Sequence, residues 1–502
     1  MTTLAQATTP IAPSITDPHT VRITALVGPA LTAGLATAVA MWVVWWFTHL
    51  PSIAAAPPLT LGLLLVTNIA VLTWISAKAG RAAVWVGLGG GIIAALLNLL
   101  ILGSVLGEQA GSTFEMAEAA NRFRAEAPAI FLGFLLASSV VGLLAGALAR
   151  GFTGSPAQLD GRTWLARYAG VLAVGFIPLL AIGGSVTSTE SGMAVPDAVT
   201  TYGSVSFLFP ISLMADPRIF LEHTHRLFGT LIGVATILLL VQTFLVRVPT
   251  RIRVMAIVLL VLVTLQGLLG IARVSAIVRA WPGFSAIGEP YWAALHGIKG
   301  QGVFAFAVWT AAAIGGLVAT SESMLPERTA KAARGAGRLA LFAVIALFIQ
   351  LFFGALSRHT GSAHALWSHV GWALVVTIVV FTVAAILTSA DRFSETGGRL
   401  RRMGTAVGAV VIFQFCLGFA ALAVVGGGGG NGGHRPIPTA DELALAPPID
   451  TVEALFTTSH QTTGAILLGL VVLAAVRARH VGTDDADARG PAPADRQNPV
   501  PA

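Results

Sequence analysis

The sequence predicts an all-α polytopic membrane protein with about twelve transmembrane helices. Of its 502 residues, 55% are hydrophobic and 11% are charged, whereas charged residues make up roughly 25% of an ordinary soluble domain. Apolar runs of about 20 residues, the length that crosses a bilayer as a helix, recur along the chain. The twelve runs are 25–47, 59–77, 82–106, 128–149, 168–186, 224–246, 254–272, 293–318, 339–356, 366–388, 404–425 and 459–476.

Basic residues are concentrated in alternate loops, which gives these helices a direction. The basic loops lie around 78–81, 150–167, 247–253, 328–338 and 392–402, and the intervening loops contain few Lys or Arg. The positive-inside rule makes the basic side cytoplasmic, together with both termini. The net charge of +7 therefore reflects orientation and does not indicate binding of nucleic acid. High usage of Ala, Gly and Arg is typical of a bacterium, so we expect a multi-pass protein of a bacterial plasma membrane.

The first four runs and the last eight form separate regions. Residues 1–150 are predicted to form a four-helix N-terminal membrane domain, for which the sequence indicates no role. The other eight helices are expected to form two tandem four-helix bundles, one from each of two repeats. The repeats are 163–302 and 303–480, in which 303–338 is a connecting helix end and loop, and the Asp- and Pro-rich tail 481–502 is expected to be disordered.

An internal repeat is the reason for dividing the eight-helix region into halves. LQGLLGIARV (265–274) resembles FQFCLGFAAL (413–422), and HGIKG (296–300) resembles HQTTG (460–464). GGSVTSTESG (183–192) and FGALSRHTGS (353–362) each end the first helix of a half. Because four helices separate equivalent segments, the two halves keep the same orientation in the membrane.

Four histidines open apolar runs from the side that is poor in Lys and Arg. They are His225, His296, His369 and His460, in the second and fourth helices of each half. A lone histidine at a membrane interface is usually a polar residue without further function. Four at matched positions favour two pairs of facing imidazoles, each pair holding one haem iron near the periplasmic surface. Glycines four residues after three of these histidines, at 229, 300 and 464, would leave room for a porphyrin.

Haem of the c type is excluded, because the sequence contains no C-x-x-C-H motif and only one cysteine, Cys416. Glu222 lies three residues before His225 and shares its helix face, so its carboxylate could exchange a proton above a haem edge. A helix N-terminal carboxylate favoured by the helix dipole is the alternative. Arg226 is a candidate for pairing with a haem propionate or for reaching the interface.

Other polar residues have simpler interpretations. Gln266 and Gln414 lie within third helices and are expected to hydrogen-bond across each bundle. The remaining histidines on the outer side, at 223, 359, 364 and 434, are predicted to be polar residues of loops or helix edges.

These motifs resemble the haem A synthase family, which oxidises haem O to haem A for terminal oxidases. The resemblance covers about residues 168–480 and is carried by the Glu222–Arg226 segment EHTHR, by 183–192 and 265–270, and by His296, His369 and His460. It implies a permanent haem b on His369 and His460. It implies haem O as substrate on His225 and His296, with Glu222 as the catalytic carboxylate.

Two features depart from the family pattern. The loop 187–221 lacks the cysteine pair found in many bacterial members, and Val370 follows the third histidine where an arginine can occur. Expected partners are haem O, a haem O synthase, an electron donor or acceptor such as a quinone or ferredoxin, and membrane lipid. The alternatives are a non-catalytic bis-histidine cytochrome b in quinone-linked electron transfer, and a haem transporter.

Overall fold

Twelve long helices dominate the part of the chain that the structure, a computed structural model, describes. That part comprises residues 23–50, 52–107, 122–153, 155–156, 159–195, 200–201, 211–318, 324–390, 394–427, 440–479 and 481–483. The helices are α1 (Ile23–His49), α2 (Pro57–Ala77), α3 (Ala83–Leu102), α4 (Ala127–Gly151), α5 (Gly161–Ser188), α6 (Pro217–Leu245), α7 (Thr250–Val274), α8 (Glu289–Gly316), α9 (Glu327–Thr360), α10 (Ala363–Thr388), α11 (Glu395–Gly427) and α12 (Thr451–Arg479). All twelve are long and apolar enough to span a membrane, which confirms the predicted fold class.

The helices that carry the four histidines begin earlier than the apolar runs predicted. They start at residues 217, 289, 363 and 451, whereas the runs start at 224, 293, 366 and 459. The additional turns contain polar residues, so their hydropathy hides them although they are helical. Side-chain caps stabilise three of these four helix starts, those that follow Asp216, Ser362 and Asp450. Asp216, for example, accepts hydrogen bonds from the backbone N–H groups of Arg218 and Ile219. Each histidine therefore lies about two turns inside its helix and does not open it.

The last eight helices form two four-helix bundles with the same arrangement. In the first, α5 and α7 each contact both α6 and α8, so α6 and α8 lie diagonally across the bundle. In the second, α9 and α11 each contact both α10 and α12 in the same way. The diagonal helices are the ones that carry the histidines. The fourth helix of the first bundle, α8, continues to Gly316 before the connection to the second bundle.

The three groups of helices pack side by side. Helices α5 and α8 of the first bundle contact α9 and α12 of the second, and α1 of the N-terminal group packs on α5. An aromatic cluster joins α1 to the first bundle: the Trp42 ring lies 6.3 Å from Phe228, and Trp45 lies 5.7 Å from Phe220. Both phenylalanines are on α6, on either side of His225. The predicted tail lies outside the described residues from 484 onward, while Gly482–Thr483 pairs in parallel with Met324–Leu325.

Glycines allow α3 and α4 of the N-terminal domain to touch backbone to backbone. A Cβ atom at Gly142 would lie 2.4 Å from the carbonyl oxygen of Gly87, and one at Gly87 would lie 2.4 Å from the carbonyl oxygen of Gly142. Small residues four apart are the usual means by which membrane helices approach this closely.

We expect Gly142→Ala to destabilise the N-terminal domain, since its methyl group would force α3 and α4 apart. Overpacking of this kind costs about 1–3 kcal/mol. Thermal unfolding in detergent measures the effect, and Gly133→Ala is the matched control on the same helix. No described atom lies within 4 Å of a Cβ at Gly133. Equal melting temperatures for the two variants would contradict the expectation.

Candidate haem sites

Each of the four candidate histidines lies with its imidazole against a glycine of a neighbouring helix. The distance from an ideal Cβ position on the glycine to the imidazole Cε1 is 2.8 Å for Gly183 and His225, 3.3 Å for Gly270 and His296, 2.8 Å for Gly354 and His369, and 3.1 Å for Gly418 and His460. We call these four glycines the glycine seats. A side chain at a seat would push the imidazole aside, so the seats determine where the rings lie.

Glutamine amides contact three of the four imidazoles. Gln266 Nε2 donates to the carbonyl oxygen of His296 at 2.9 Å and lies 3.2 Å from its Nδ1. Gln414 Nε2 lies 3.1 Å from Nδ1 of His460. These cross-bundle contacts of Gln266 and Gln414 agree with the prediction made for the third helices.

Gln350 has the same role in the first helix of the second half, and sequence reasoning missed it. Its Nε2 donates to the carbonyl oxygen of His369 at 3.0 Å, and Nδ1 of His369 donates to the Gln350 carbonyl oxygen at 2.9 Å. Each of the three glutamines stands four residues before its glycine seat. The repeated spacing Q-x-x-x-G was the signal that could have identified Gln350.

The two histidine rings of the second bundle are separated by a distance that would suit one metal atom between them. The ring centroids of His369 and His460 are 6.1 Å apart, and the ring planes make an angle of 82°. An iron atom bound by two opposite imidazoles at roughly 2 Å from each nitrogen separates the ring centroids by about 6 Å. His225 and His296 occupy the equivalent positions of the first bundle.

Buried polar atoms beside these rings fit a haem ligated by two histidines. An imidazole that binds iron through Nε2 keeps a proton on Nδ1 and needs an acceptor for it. For His369 the Gln350 carbonyl is that acceptor. The amide oxygens of Gln266 and Gln414 are buried, and neither has a hydrogen-bond partner among the residues that the structure describes. Each belongs to an amide that already touches an imidazole Nδ1. If either amide rotated so that its oxygen and nitrogen exchanged places, this oxygen would lie next to the imidazole Nδ1.

Two of the glycines that were predicted to leave room for a porphyrin lie against glutamine amides. A Cβ atom at Gly300 would lie 3.2 Å from Nε2 of Gln266, and one at Gly464 would lie 3.1 Å from Nε2 of Gln414. These glycines therefore make room for the glutamine amides, because a side chain at either glycine would occupy the space on the histidine helix where the amide lies. Gly229 differs, since no described atom lies within 4 Å of its Cβ position.

Glu222 is buried beside the first site, and its carboxylate accepts two hydrogen bonds. The backbone N–H of Val195 donates to its Oε2 at 2.7 Å, and Arg226 Nη2 donates to its Oε1 at 2.6 Å. Arg226 also donates to the carbonyl oxygens of Val195 at 2.9 Å and Thr200 at 3.3 Å. The carboxylate is thus held next to His225 by the segment that follows α5. The Arg226 guanidinium therefore donates its hydrogen bonds to acceptors of the protein itself.

The other outer histidines have different surroundings. His223 is fully buried inside α6 and is not an edge residue as predicted, because its helix begins six residues earlier, at Pro217. His359 lies in the last turn of α9, and His364 is exposed in the first turn of α10. His434 lies outside the described residues. Cys416 is exposed on α11.

Direct polar contacts connect the two halves close to the candidate sites. A Cβ at Gly184, the residue after one glycine seat, would lie 3.2 Å from the side-chain oxygen of Gln461, the residue after His460. Arg358 pairs with Glu190 and donates to the carbonyl oxygen of Thr187 at 2.6 Å. The first half therefore touches the second where the residue next to a glycine seat meets the residue next to a candidate ligand.

One comparison with known proteins agrees with the motifs. The COX15-CtaA family model, described as cytochrome oxidase assembly protein, matches residues 166–371. The match begins in α5 and ends in α10, so it contains three of the four histidines and excludes the N-terminal domain. No curated protein and no solved structure matches the chain. Residues 166–371 are therefore similar to the COX15-CtaA family of cytochrome oxidase assembly proteins, in agreement with the resemblance to haem A synthases.

Proposed function

We propose that this protein oxidises haem O to haem A by converting one porphyrin methyl group to a formyl group. The observation that carries the proposal is the difference between two otherwise matched sites. Both halves have two histidines on diagonal helices with glycine seats, whereas only the first half has a buried carboxylate three residues before a histidine. The residue at that position before His369 is Leu366. This difference is expected if one half catalyses a reaction and the other half only transfers electrons.

In this proposal His369 and His460 hold haem b, and His225 and His296 hold the substrate haem. Haem b, when bound, supplies a one-electron carrier. Glu222 accepts protons at its carboxylate as the methyl group is oxidised, and Arg226 and the Val195 N–H keep that carboxylate in place. The sites lie near the periplasmic side of a bacterial plasma membrane if the basic loops are cytoplasmic.

The overall change requires an external electron acceptor. Conversion of a methyl group to a formyl group adds one oxygen atom, which water can supply through successive hydroxylation and a final loss of water. The change releases four protons and four electrons in total. The contact between Gly184 and Gln461 gives these electrons a route toward the second half. A quinone or a ferredoxin is the class of partner that would take part, and a haem O synthase would supply the substrate.

Co-expression with a haem O synthase in a host that lacks haem A tests the proposal. We expect extracted haems to include a formyl haem by chromatography, and we expect that peak to disappear in Glu222→Ala and His225→Ala. A retained bis-histidine spectrum without any formyl haem in the wild type would overturn the proposal.

A second candidate function is a non-catalytic cytochrome b that passes electrons to or from a quinone. The ion pair between Glu222 and Arg226 favours it, since that pairing gives the carboxylate a structural purpose. A haem transporter gains no comparable support, because transporters bind substrates near the bilayer midplane. The four histidines instead lie in the first half of their helices.

A further inference from the structure

The first half has open space between α6 and α7, beside its candidate haem site. Three glycines border this space, Gly229 and Gly233 on α6 and Gly267 on α7. No described atom lies within 4 Å of a Cβ atom placed at any of them. We call the space that these three residues border the glycine crevice.

A hydrogen bond between α6 and α7 shows that the glycines lie at matching positions. Arg253, near the start of α7, donates to the carbonyl oxygen of Thr243, near the end of α6, at 3.2 Å. Gly229 is 14 residues before Thr243, and Gly267 is 14 residues after Arg253. That interval is close to four helical turns, or about 21 Å. Gly229 and Gly267 therefore lie at one depth, on nearly the same helix faces as the hydrogen-bonded pair.

The glycine crevice continues directly from the buried carboxylate of the first site. Glu222, Arg226, Gly229 and Gly233 follow one another at spacings of four, three and four residues, so they share one face of α6. Glu222 is buried at the outer end of this face, and the two glycines extend the face toward the cytoplasmic end of the helix. A substituent on the porphyrin edge near Glu222 would have an open path along the glycines.

The second half has side chains at all three equivalent positions. Aligning His225 with His369, and Gln266 with Gln414, identifies the residues that replace the glycines. They are Ala373, Thr377 and Phe415. Phe415 is the largest of them, and its ring lies 5.0 Å from that of Phe419. The two sites thus differ in the space beside the haem as well as in the buried carboxylate.

We propose that the glycine crevice binds the isoprenoid chain of haem O and so directs this haem to the first half. The proposal rests on the proposed function, in which the first half binds haem O and the second binds haem b. Haem O carries a hydroxyethylfarnesyl chain where haem b has a vinyl group. Such a chain is long and apolar, so it requires a passage that opens to the bilayer, and Gly267 is exposed. The side chains of the second half leave room only for a haem without the chain.

Competition between haem O and haem b for the purified full-length protein tests this without any oxidation step. The protein is equilibrated in detergent with an equimolar mixture and freed of unbound haem, and the extracted haems are separated by chromatography. We expect one haem O and one haem b for each wild-type chain. Gly267→Phe, which introduces the residue of the second half, should lower the preference of the first half for haem O by roughly 10- to 60-fold, the effect of excluding two or three methylene groups. Leu268→Phe is the matched control, because Leu268 is the exposed neighbour on the same turn, and it should leave the preference unchanged.

A second variant makes the test independent of how Gly267→Phe folds. Gly233→Thr also introduces the residue of the second half, and it should lower the preference in the same direction while the total haem content stays at two. A wild-type protein that does not prefer haem O in its first half, or an unchanged preference in Gly267→Phe and Gly233→Thr, would overturn the proposal, and the crevice would then hold only bilayer lipid. The proposed oxidation could still be correct, because formyl haem measures it separately. Selective uptake of haem O without any formyl haem would instead overturn the oxidation and support the crevice.

Discussion

Gly354→Val is expected to remove one of the two haems and leave the other in place. A Cβ atom at this glycine seat would lie 2.8 Å from Cε1 and 2.9 Å from Nδ1 of His369. Both atoms belong to a rigid ring that lies on the backbone of α9, so the imidazole has to turn away. His460 would then lack the partner that now lies 6.1 Å from it. One axial ligand is insufficient for the spectrum of a bis-histidine haem.

The ratio of haem to protein in purified material measures this effect. We expect it to fall from two to one in Gly354→Val, with the remaining haem in the first half. Gly335→Val is the matched control on the same helix, because no described atom lies within 4 Å of a Cβ there. Gly183→Val should have the opposite effect, removing the haem of the first half and abolishing turnover. An unchanged ratio in Gly354→Val would contradict the assignment of His369 as a ligand.

The fold could be predicted from sequence because its signals are local. Twelve apolar runs, the alternation of basic loops and the repeat around Gln266 and Gln414 each depend on residues close together in the chain. However, hydropathy detects only the apolar part of a helix that lies in the bilayer, and not the full length of the helix. It therefore missed the polar first turns of the histidine helices, such as the one that Asp216 caps.

The contacts between helices could not be predicted from the sequence, because they depend on residues far apart in the chain. The segment Gly183–Gly184 shows two adjacent glycines, and only the structure shows that the first lies under His225 while the second faces Gln461. Likewise, the spacing of Gly300 after His296 is compatible with space for a porphyrin or for a glutamine. The neighbouring helix decides between them, and its rotation depends on packing across the whole bundle.

Glu222 was identified from its spacing to His225, but its partners were not. Arg226 lies one turn away and was a candidate for pairing with a propionate or for reaching the interface, and in the structure it donates to the carboxylate and to Val195. Val195 belongs to the connection after α5, whose path no periodic pattern specifies. The close pairing of Glu222 and Arg226 means that activity alone cannot separate a catalytic role of the carboxylate from a structural one.

Combining Glu222→Gln with Arg226→Leu separates those roles. Arg226→Leu alone leaves a buried carboxylate without its counter-charge, which costs about 3–5 kcal/mol of unfolding free energy. Adding Glu222→Gln removes the charge, so the double variant should recover a large part of that loss. Thermal unfolding in detergent and the haem content measure the recovery.

Haem A formation should nevertheless stay absent in the double variant. A positioned general base contributes about 10²- to 10⁴-fold to a reaction, and glutamine cannot accept the proton. If the double variant is stable, carries both haems and produces no formyl haem, then it lacks only the proton acceptor that the Glu222 carboxylate supplies. Conversion at a rate close to that of the wild type would instead show that Glu222 serves the fold. The proton acceptor would then have to be sought elsewhere around His225, beginning with the buried His223 two residues before it.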